Sequence, residues 1–348
     1  MDEPAILGLA TAEGPFPATQ ADVRAQTLSM FEGADFDVLE LSAVFDNAGI
    51  ARRTFAWPLE RYSERPGVAE RGARFRSLAP IMLADAAGRA ADPSLRRRIT
   101  HVVTVCSSGI VTPTLECLIA SELGIPAAAR RVPVFGLGCA GGAAGLAMAR
   151  DLAGSSRDAC VLLLVIELTS LTLITDDASR RNFVACALFG DGAAAAVIGA
   201  PSDEHPALAT IGKAVTKLIP NTLDLMGWDV EDNGWRVVFS PRIPAVVRRE
   251  VDALVADAMD GEQPSHFVLH PGGAKVLDAY RQSLGLSAED IADSTAVLGD
   301  HGNMSAATVL FVLDRILRRE GRAAGKGIMT AFGPGFSAEA LSLSLPAN

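Results

Sequence analysis

Two stretches decide the architecture of this chain: CAGGAAGLAMARDLA at residues 139–153 and NMSAATVLFVLDRIL at residues 303–317. Both have the length of a helix, and both are small or apolar on nearly every side until their last turn. A helix without a polar face has to be covered all round by other elements. We therefore predict two central helices that are buried on every side.

The two stretches also resemble each other, because GCAGGAA at residues 138–144 matches GNMSAA at residues 302–307. An apolar strand pattern follows each of them. We interpret the match as an internal duplication, in which each half of the chain carries one buried helix. Chance similarity within Ala- and Gly-rich sequence is the alternative interpretation.

Short apolar runs elsewhere are typical of strands buried on both faces, since they do not alternate with polar residues. They are HVVTVC (101–106), ACVLLLVIEL (159–168), AAAAVIG (193–199) and SHFVL (265–269). Alternation of such strands with helices, one of them predicted at residues 242–259, indicates an α/β protein with mainly parallel sheets. The polar, proline-containing residues 199–210 divide the chain into two predicted halves, residues 1–204 and 205–348.

The composition is that of a folded, acidic protein. Of the 348 residues, 49% are hydrophobic and 21% charged, and the net charge is 31 − 41 = −10. This balance argues against non-specific binding to nucleic acid or to anionic membranes. No apolar run approaches the roughly 20 residues that span a bilayer, and the five cysteines form no CxxC pair. We expect a cytoplasmic protein with reduced thiols, no membrane span and no bound metal.

Cys139 is a candidate nucleophile because it follows the strand-like VPVFGL and opens the first buried helix. Backbone N–H groups and the helix dipole at such a position stabilise a thiolate. The neighbouring glycines allow a sharp turn and a close approach of substrate to the backbone. The alternative is that Cys139 is one more small, buried residue.

His270 and Asn303 are the candidate partners of Cys139. His270 follows the strand SHFVL, at the strand end where open α/β sheets place their ligands, although a histidine bonded to a loop carbonyl is equally typical there. Asn303 opens the second buried helix, where it serves either as an N-cap or as a donor to an oxyanion. If the duplication is real, a pseudo-twofold axis brings Cys139 and Asn303 together.

On five ordered motifs the sequence resembles the type III polyketide synthases, the chalcone synthase-like family. The motifs are GLGCAGG (136–142), LFGDGAAAAVIG (188–199), HPGG (270–273), GNMSAA (302–307) and FGPG (332–335). The resemblance implies a thiolase-like fold, with two duplicated halves in a layered αβαβα arrangement, and a homodimer. It also implies a substrate pair of acyl-CoA and malonyl-CoA, with no cofactor and no carrier protein.

The resemblance assigns roles by position. Cys139 matches the acyl-accepting nucleophile, while His270 and Asn303 match the donors to the thioester and enolate oxygens. Phe189 matches a gatekeeping aromatic residue, and Val237 replaces a second one. The other residues matched to substrate binding are Thr172, Thr112, Ser305, Gly333 and Pro334. Thr112 also belongs to a dimer-contact segment in which Pro113 is expected to follow a cis bond.

Two assignments stay open at this point. The adjacent Arg52 and Arg53 either bind the phosphates of coenzyme A or form a solvated surface. The smaller Val237 and the likeness of MGWDV (226–230) and DAYRQSLGL (278–286) to bacterial alkylpyrone and alkylresorcinol synthases predict a medium- or long-chain fatty acyl-CoA starter. The alternatives are a ketoacyl-ACP synthase III-like enzyme that stops after one condensation, and a non-catalytic partner subunit of the same fold. A hydroxymethylglutaryl-CoA synthase is disfavoured, because that family needs a glutamate as general base and does not show these five motifs in order.

Overall fold

A mixed sheet of nine strands forms the centre of the protein in the computed structural model, which describes residues 3–174 and 177–348. The strands of the described chain are β1 (Ala5–Glu13), β2 (Phe16–Thr19), β3 (Arg52–Phe55), β4 (His101–Cys106), β5 (Arg130–Phe135), β6 (Cys160–Leu168), β7 (Asp191–Gly199), β8 (Ala209–Leu218), β9 (Met226–Glu231), β10 (Gly234–Phe239), β11 (His266–Leu269), β12 (Gly325–Gly333) and β13 (Ser337–Leu345). Strands β2 and β3 pair with each other, as do β9 and β10, and the other nine strands form the large sheet.

The helices surround this sheet. They are α1 (Gln20–Met30), α2 (Val38–Leu41), α3 (Ala43–Asn47), α4 (Leu59–Ser63), α5 (Val68–Ala90), α6 (Pro93–Arg97), α7 (Leu115–Leu123), α8 (Gly141–Ala153), α9 (Arg180–Leu188), α10 (Ile243–Ala258), α11 (Ala274–Leu284), α12 (Ala292–His301) and α13 (Thr308–Leu317). Short 3-10 turns at Gly138–Ala140 and Ser305–Ala307 lead directly into α8 and α13. No helix among the described residues has both the length and the apolar character needed to cross a membrane.

The strand order confirms the predicted duplication. The large sheet runs β11-β12-β13-β8-β1-β7-β6-β4-β5, so that β1-β7-β6-β4 in the N-terminal half corresponds to β8-β13-β12-β11 in the C-terminal half. The strand directions correspond as well. The pairs β4–β6 and β11–β12 are parallel. The pairs β6–β7 and β12–β13 are antiparallel, and so are β7–β1 and β13–β8. Within the sheet, the two halves join through two residue pairs between β1 and β8.

Three apolar cores between these elements produce the expected αβαβα layering. A central core is shared by α8, α13 and the inward-facing side chains of both sheet halves. A second core packs α5 and α7 on the outer face of the N-terminal half, and a third packs α10 and α11 on the outer face of the C-terminal half. Strand β6 contributes alternate residues to the first two cores, which explains why its sequence is apolar without alternation.

The two predicted central helices are confirmed. Every residue of α8 from Gly141 to Ala147 is buried, and so is every residue of α13 from Thr308 to Leu313. The helices approach closely at Gly142, where a Cβ atom would lie 2.2 Å from the carbonyl oxygen of Ala306. Glycine at this position therefore lets the two halves meet backbone to backbone.

The prediction of mainly parallel sheets is wrong. Three strand pairs of the large sheet are parallel, β4–β5, β4–β6 and β11–β12, and the others are antiparallel. One cause is the Gly/Pro stretch after β12, because residues 334–336 connect β12 directly to β13. A connection this short joins only antiparallel neighbours.

Candidate active site

The Cys139 side chain lies at the seam between the two halves. Gly138 opens the 3-10 turn with φ +48°, a left-handed conformation that favours glycine, and its N–H donates to Ser107 Oγ at 2.8 Å. Cys139 follows with 4% of its surface exposed, and its Sγ lies 3.9 Å from Asn303 Oδ1. Two residues that are 164 positions apart in the chain are thus brought together, as the sequence predicts.

The Asn303 side chain is held on both sides. It is completely buried, its Oδ1 accepts the backbone N–H of Ser305 at 2.9 Å, and its Nδ2 donates to the Gly272 carbonyl at 3.2 Å. An amide nitrogen carries two hydrogens, and the Gly272 carbonyl uses one of them. The geometry is therefore suited to a second donation from Nδ2 towards a substrate oxygen.

His270, the third candidate residue, is buried next to a residue that Asn303 bonds. It follows β11 with its backbone N–H bonded to the Thr330 carbonyl at 2.9 Å, and only 3% of its surface is exposed. Its Nε2 lies 3.6 Å from the position of a Cβ on Gly272, the residue whose carbonyl accepts from Asn303. Neither ring nitrogen has a hydrogen-bond partner, which is unusual for a buried polar group and is expected where a ligand supplies the partner.

The pKa shift of Cys139 runs opposite to the effect that the helix start alone would have on the thiol. Burial raises the pKa of the Cys139 thiol to about 12; the hydrogen bond with Ser305 opposes this rise and the Glu167 carboxylate adds to it. Burial also lowers the pKa of His270 to about 4. Desolvation therefore disfavours the charged form of both side chains, the thiolate and the imidazolium, and it is the largest cause of each shift.

The two turns that carry these residues match in a different register from that predicted. Gly138 and Ser305 each occupy the first position of their 3-10 turn, with φ +48° and +49°. By conformation, Ser305 matches Gly138, and Ala306 matches Cys139. Asn303 is therefore not the structural duplicate of Cys139, because it precedes its turn by two residues and enters the site from the loop.

Three of the predicted substrate-binding residues line one cleft. Phe189, Thr172 and Val237 are part of the walls of a mostly apolar cleft between α1, α9 and the β9–β10 hairpin. Its lining residues, none of which is Cys139, His270 or Asn303, are Val23, Gln26, Thr27, Met30, Phe55, Leu59, Tyr62, Thr169, Ser170, Thr172, Leu173, Asn182, Ala185, Cys186, Phe189, Trp228, Trp235 and Val237.

Phe189 links this cleft to Asn303. Its ring packs 6.1 Å from the rings of both Trp228 and Phe239, while its backbone forms a β-bridge with Asn303. The residue thus faces the cleft on one side and is tied to the candidate active site on the other. This placement agrees with the gatekeeping position that the family resemblance implies.

The remaining predicted substrate-binding residues are distributed differently. Gly333 and Pro334 pack under the Cys139 turn: a Cβ on Gly333 would lie 2.4 Å from the Leu137 carbonyl, and Pro334 fills the space beside Gly138. Ser305 is buried and hydrogen-bonded to the Cys139 thiol. Thr112 is exposed and does not line the cleft, although the bond to Pro113 is cis as predicted.

The assignment of Arg53 to coenzyme A is wrong. Arg53 is completely buried, and its guanidinium donates to the carbonyls of Cys186 and Phe189 and to Gln20 Oε1. A group enclosed in this way has no access to a phosphate in solution. The neighbouring Arg52 is exposed and pairs with Glu13 at 3.4 Å, so its assignment stays a prediction.

Glu167 is a buried group that the sequence analysis missed. It ends β6 with no exposed surface, and both of its carboxylate oxygens accept the Ser107 N–H at 3.2 Å. Burial raises the pKa of Glu167 to about 7, against hydrogen bonds that include those from Ser108 and Ser305. The available sequence signal was one carboxylate near the end of the apolar run ACVLLLVIEL. Among the residues that the structure describes, no cluster of His, Cys, Asp and Glu is arranged to hold a metal ion.

Comparison with known proteins agrees with this fold and geometry. The chain matches the family models described as chalcone and stilbene synthases, N-terminal domain, over residues 78–202 and C-terminal domain over residues 210–346. It is 33% identical over 365 residues to a putative chalcone synthase of Bacillus subtilis (strain 168), covering 97% of this chain and 98% of that protein. It is 34% identical over 346 residues to the 1,3,6,8-tetrahydroxynaphthalene synthase of Streptomyces peucetius subsp. caesius, covering 96% of this chain and 91% of that protein.

A solved structure shows the same fold. The crystal structure of the C-terminal type III polyketide synthase domain of Steely1, a type I/III hybrid from Dictyostelium, superposes with a TM-score of 0.92 at 25% identity, covering 99% of both chains. These matches define a polyketide synthase with a thiolase-like fold, an acyltransferase that forms carbon–carbon bonds by Claisen condensation. The chain belongs to the chalcone and stilbene synthase family, whose members use coenzyme A thioesters without a carrier protein.

Proposed function

We propose that this type III polyketide synthase extends a medium- or long-chain fatty acyl-CoA with successive malonyl-CoA units and releases an alkylpyrone or alkylresorcinol. Cys139, His270 and Asn303 are the catalytic residues of the proposal. The observation that carries the starter assignment is the apolar cleft behind Phe189. The proposal needs no metal, redox cofactor or carrier protein, and it takes the active form to be a homodimer with Thr112 at the contact.

The first proposed step transfers the starter to Cys139. As Sγ attacks the thioester carbonyl, the thiol proton passes to the unpartnered, neutral ring of His270. The carbon–sulfur bond to coenzyme A then breaks, and its thiolate takes the proton back from His270. The ring nitrogens of His270 have no other partner, so the ring can take up this proton and hold it until the coenzyme A thiolate leaves.

The second step forms the new carbon–carbon bond. Malonyl-CoA loses CO₂, and the electron pair of the broken bond becomes an enolate whose oxygen accepts from His270 and from the free N–H of Asn303. The enolate carbon attacks the Cys139 thioester and expels the thiolate. The lengthened chain, now on coenzyme A, is transferred back to Cys139 for the next round.

The cleft supports a fatty acyl starter rather than an aromatic one. Its wall on α1 consists of Val23, Gln26, Thr27 and Met30, and the opposite wall on β10 includes Val237. An alkyl chain gains about 0.8 kcal/mol for each methylene that such a surface removes from water. Val237 and Phe189 line the same cleft, so a small side chain at Val237 favours a longer starter over one blocked by an aromatic ring at this position.

The proposal is tested by incubating the purified protein with malonyl-CoA and acyl-CoA starters from C4 to C18, and with coumaroyl-CoA, and identifying the products by mass spectrometry. We expect pyrones or resorcinols from C8–C16 starters. Val237→Phe places an aromatic ring in the cleft and is expected to shift the preferred starter to shorter chains, with Val230→Phe, on the exposed face of the hairpin, as the matched control.

Other outcomes of this assay contradict the proposal. Exclusive use of coumaroyl-CoA would overturn the fatty starter, and an unchanged chain-length profile in Val237→Phe would overturn the role of the cleft. A product with a single added two-carbon unit, formed only from a carrier-bound malonyl group, would favour the ketoacyl-ACP synthase III-like alternative. Absence of any product together with failure of iodoacetamide to label Cys139 would favour a non-catalytic subunit.

A further inference from the structure

Arg53 is a buried cation with only uncharged hydrogen-bond partners. Its Nη1 donates to the carbonyls of Cys186 at 2.8 Å and Phe189 at 2.7 Å, and its Nη2 donates to Gln20 Oε1 at 2.6 Å. Its Nε has no partner. The buried Asp191 carboxylate attracts the guanidinium without a hydrogen bond to it, and burying a charge that is not bonded to a carboxylate is costly. An arginine at this position therefore needs a specific explanation.

The guanidinium binds the C-terminal end of α9, next to the gatekeeping Phe189. The last carbonyls of a helix have no partner within the helix, and the helix dipole favours a cation there. Arg53 bonds the carbonyls of Cys186 and Phe189, and Gln20 Nε2 bonds that of Ala187 at 3.0 Å. Together, Arg53 and Gln20 satisfy the carbonyls of three residues at this helix end, Cys186, Ala187 and Phe189.

The aliphatic part of Arg53 reaches the other side of the site. A Cβ on Gly302 would lie 2.5 Å from Arg53 Cδ, and a Cβ on Gly190 would lie 3.4 Å from Arg53 Cβ. Gly302 directly precedes Asn303, and Gly190 directly follows Phe189. The Arg53 side chain is therefore packed against two backbone segments, the one at Gly190 that carries Phe189 and the one at Gly302 that carries Asn303.

Those two segments are joined by only two backbone hydrogen bonds. The Asn303 N–H donates to the Leu188 carbonyl at 2.9 Å, and the Gly190 N–H donates to the Asn303 carbonyl at 3.0 Å. Arg53 contacts the segments on either side of this link and belongs to β3 in the N-terminal half, whereas Asn303 belongs to the C-terminal half. We propose that Arg53 is a positioning residue that holds Asn303 and Phe189 in register across the seam between the halves.

The inference rests on the proposed role of Asn303 as an enolate donor, and two variants test it. Arg53→Met keeps an unbranched apolar stem of similar reach but removes the three hydrogen bonds. Arg53→Lys keeps the charge but cannot bond two carbonyls and Gln20 from one planar group. Arg96→Met is the matched control, because Arg96 also bonds backbone carbonyls, those of Gly88 and Ala91, at the end of α5.

Three readouts separate positioning from general stability. We expect malonyl-CoA decarboxylation without a starter to fall about 10- to 100-fold in both Arg53 variants, because sub-ångström displacement of a donor has effects of this size. Alkylation of Cys139 by iodoacetamide should stay within about two-fold of the wild type, because it uses no oxyanion donor. Hydrogen exchange at the amides of Gly190 and Asn303 should become faster, and Arg96→Met should change none of the three.

Each contrary result has a distinct meaning. Wild-type decarboxylation in folded Arg53→Lys or Arg53→Met, or unchanged exchange at Gly190 and Asn303, would overturn the positioning role. Equal losses of decarboxylation and alkylation would show that Arg53 only stabilises the fold. If the wild-type protein decarboxylates no malonyl-CoA, the proposed function fails, and the exchange measurement still decides whether Arg53 holds the two segments together.

Discussion

The starts of α8 and α13 have similar geometry and different chemistry. Each begins with a 3-10 turn whose first residue has φ near +48°, and each is buried in the central core. At α8 the turn itself carries a thiol, Cys139. At α13 the corresponding position is the inert Ala306, and the functional amide of Asn303 comes from the loop before it. The duplicated fold therefore supplies two facing helix starts, and single side chains make them unequal.

The two helix starts also differ in how the buried carboxylate of Glu167 affects them. Glu167 accepts hydrogen bonds from the N–H of Ala306 and the side chain of Ser305 at α13, whereas its charge raises the pKa of Cys139 at α8. The same carboxylate thus stabilises one start and disfavours an anion at the other. The predictions below test this inequality, beginning with the largest expected effect.

Replacing the thiol should abolish product formation. Cys139→Ala leaves no atom that can hold the acyl chain, so mass spectrometry is expected to detect no polyketide. Cys139→Gln should likewise make no polyketide but should still release CO₂ from malonyl-CoA, because His270 and Asn303 remain in place. Polyketide from Cys139→Ala would contradict the role of Cys139 as the residue that holds the acyl chain. A Cys139→Gln variant without decarboxylation would contradict the role of His270 and Asn303 in that step.

Replacing the amide at the other start should have a smaller effect. Asn303→Leu removes the donor to the enolate oxygen and is expected to lower the decarboxylation rate by about 10²–10³-fold, the usual loss for one oxyanion donor. Iodoacetamide should still label Cys139 in this variant. A decarboxylation rate within a factor of three of the wild type would show that Asn303 serves as a structural cap only.

Glu167 should make the fold less stable as the pH rises. Its folded pKa of about 7 is above the ordinary value of 4.5, so its contribution is fully present below pH 4.5 and is lost as the pH rises through 7. The difference corresponds to about 3 kcal/mol of unfolding free energy. Urea denaturation at several pH values should show a shallower decline in Glu167→Gln than in the wild type. Equal declines in both proteins would contradict the buried, strained carboxylate.

The sequence was sufficient for the elements around the active site and for the residues that meet there. The apolar runs at residues 101–106, 159–168 and 265–269 correspond to β4, β6 and β11. They could be predicted because a strand buried on both faces is apolar at nearly every position. Cys139 and Asn303 meet as predicted, and His270 is buried beside Gly272, whose carbonyl accepts from Asn303. The chain-length preference, the dimer and the division at residue 204 stay predictions.

The burial of Arg53 could not be predicted from the residues next to it in the sequence. In ARRTF, the two arginines are alike, yet Arg52 is exposed and Arg53 is completely buried. Neighbouring side chains along β3 point to opposite faces of the strand. The sequence around β3 does not indicate which of these faces is covered by α9 and the loop before Asn303. Glu167 was missed for a related reason, since a carboxylate at a strand end is buried only when the second half of the molecule covers it.

The sequence by itself determined which segments are buried, that the chain is duplicated, and which side chains have the chemistry for acyl transfer, because composition and periodicity record burial and reactivity residue by residue. Only the tertiary structure decided the register of the two turns, the direction in which burial shifts the pKa of Cys139 and of His270, and the burial of Arg53 and Glu167. These features depend on how one half covers the other, and desolvation of that kind is set by contacts between residues more than a hundred positions apart.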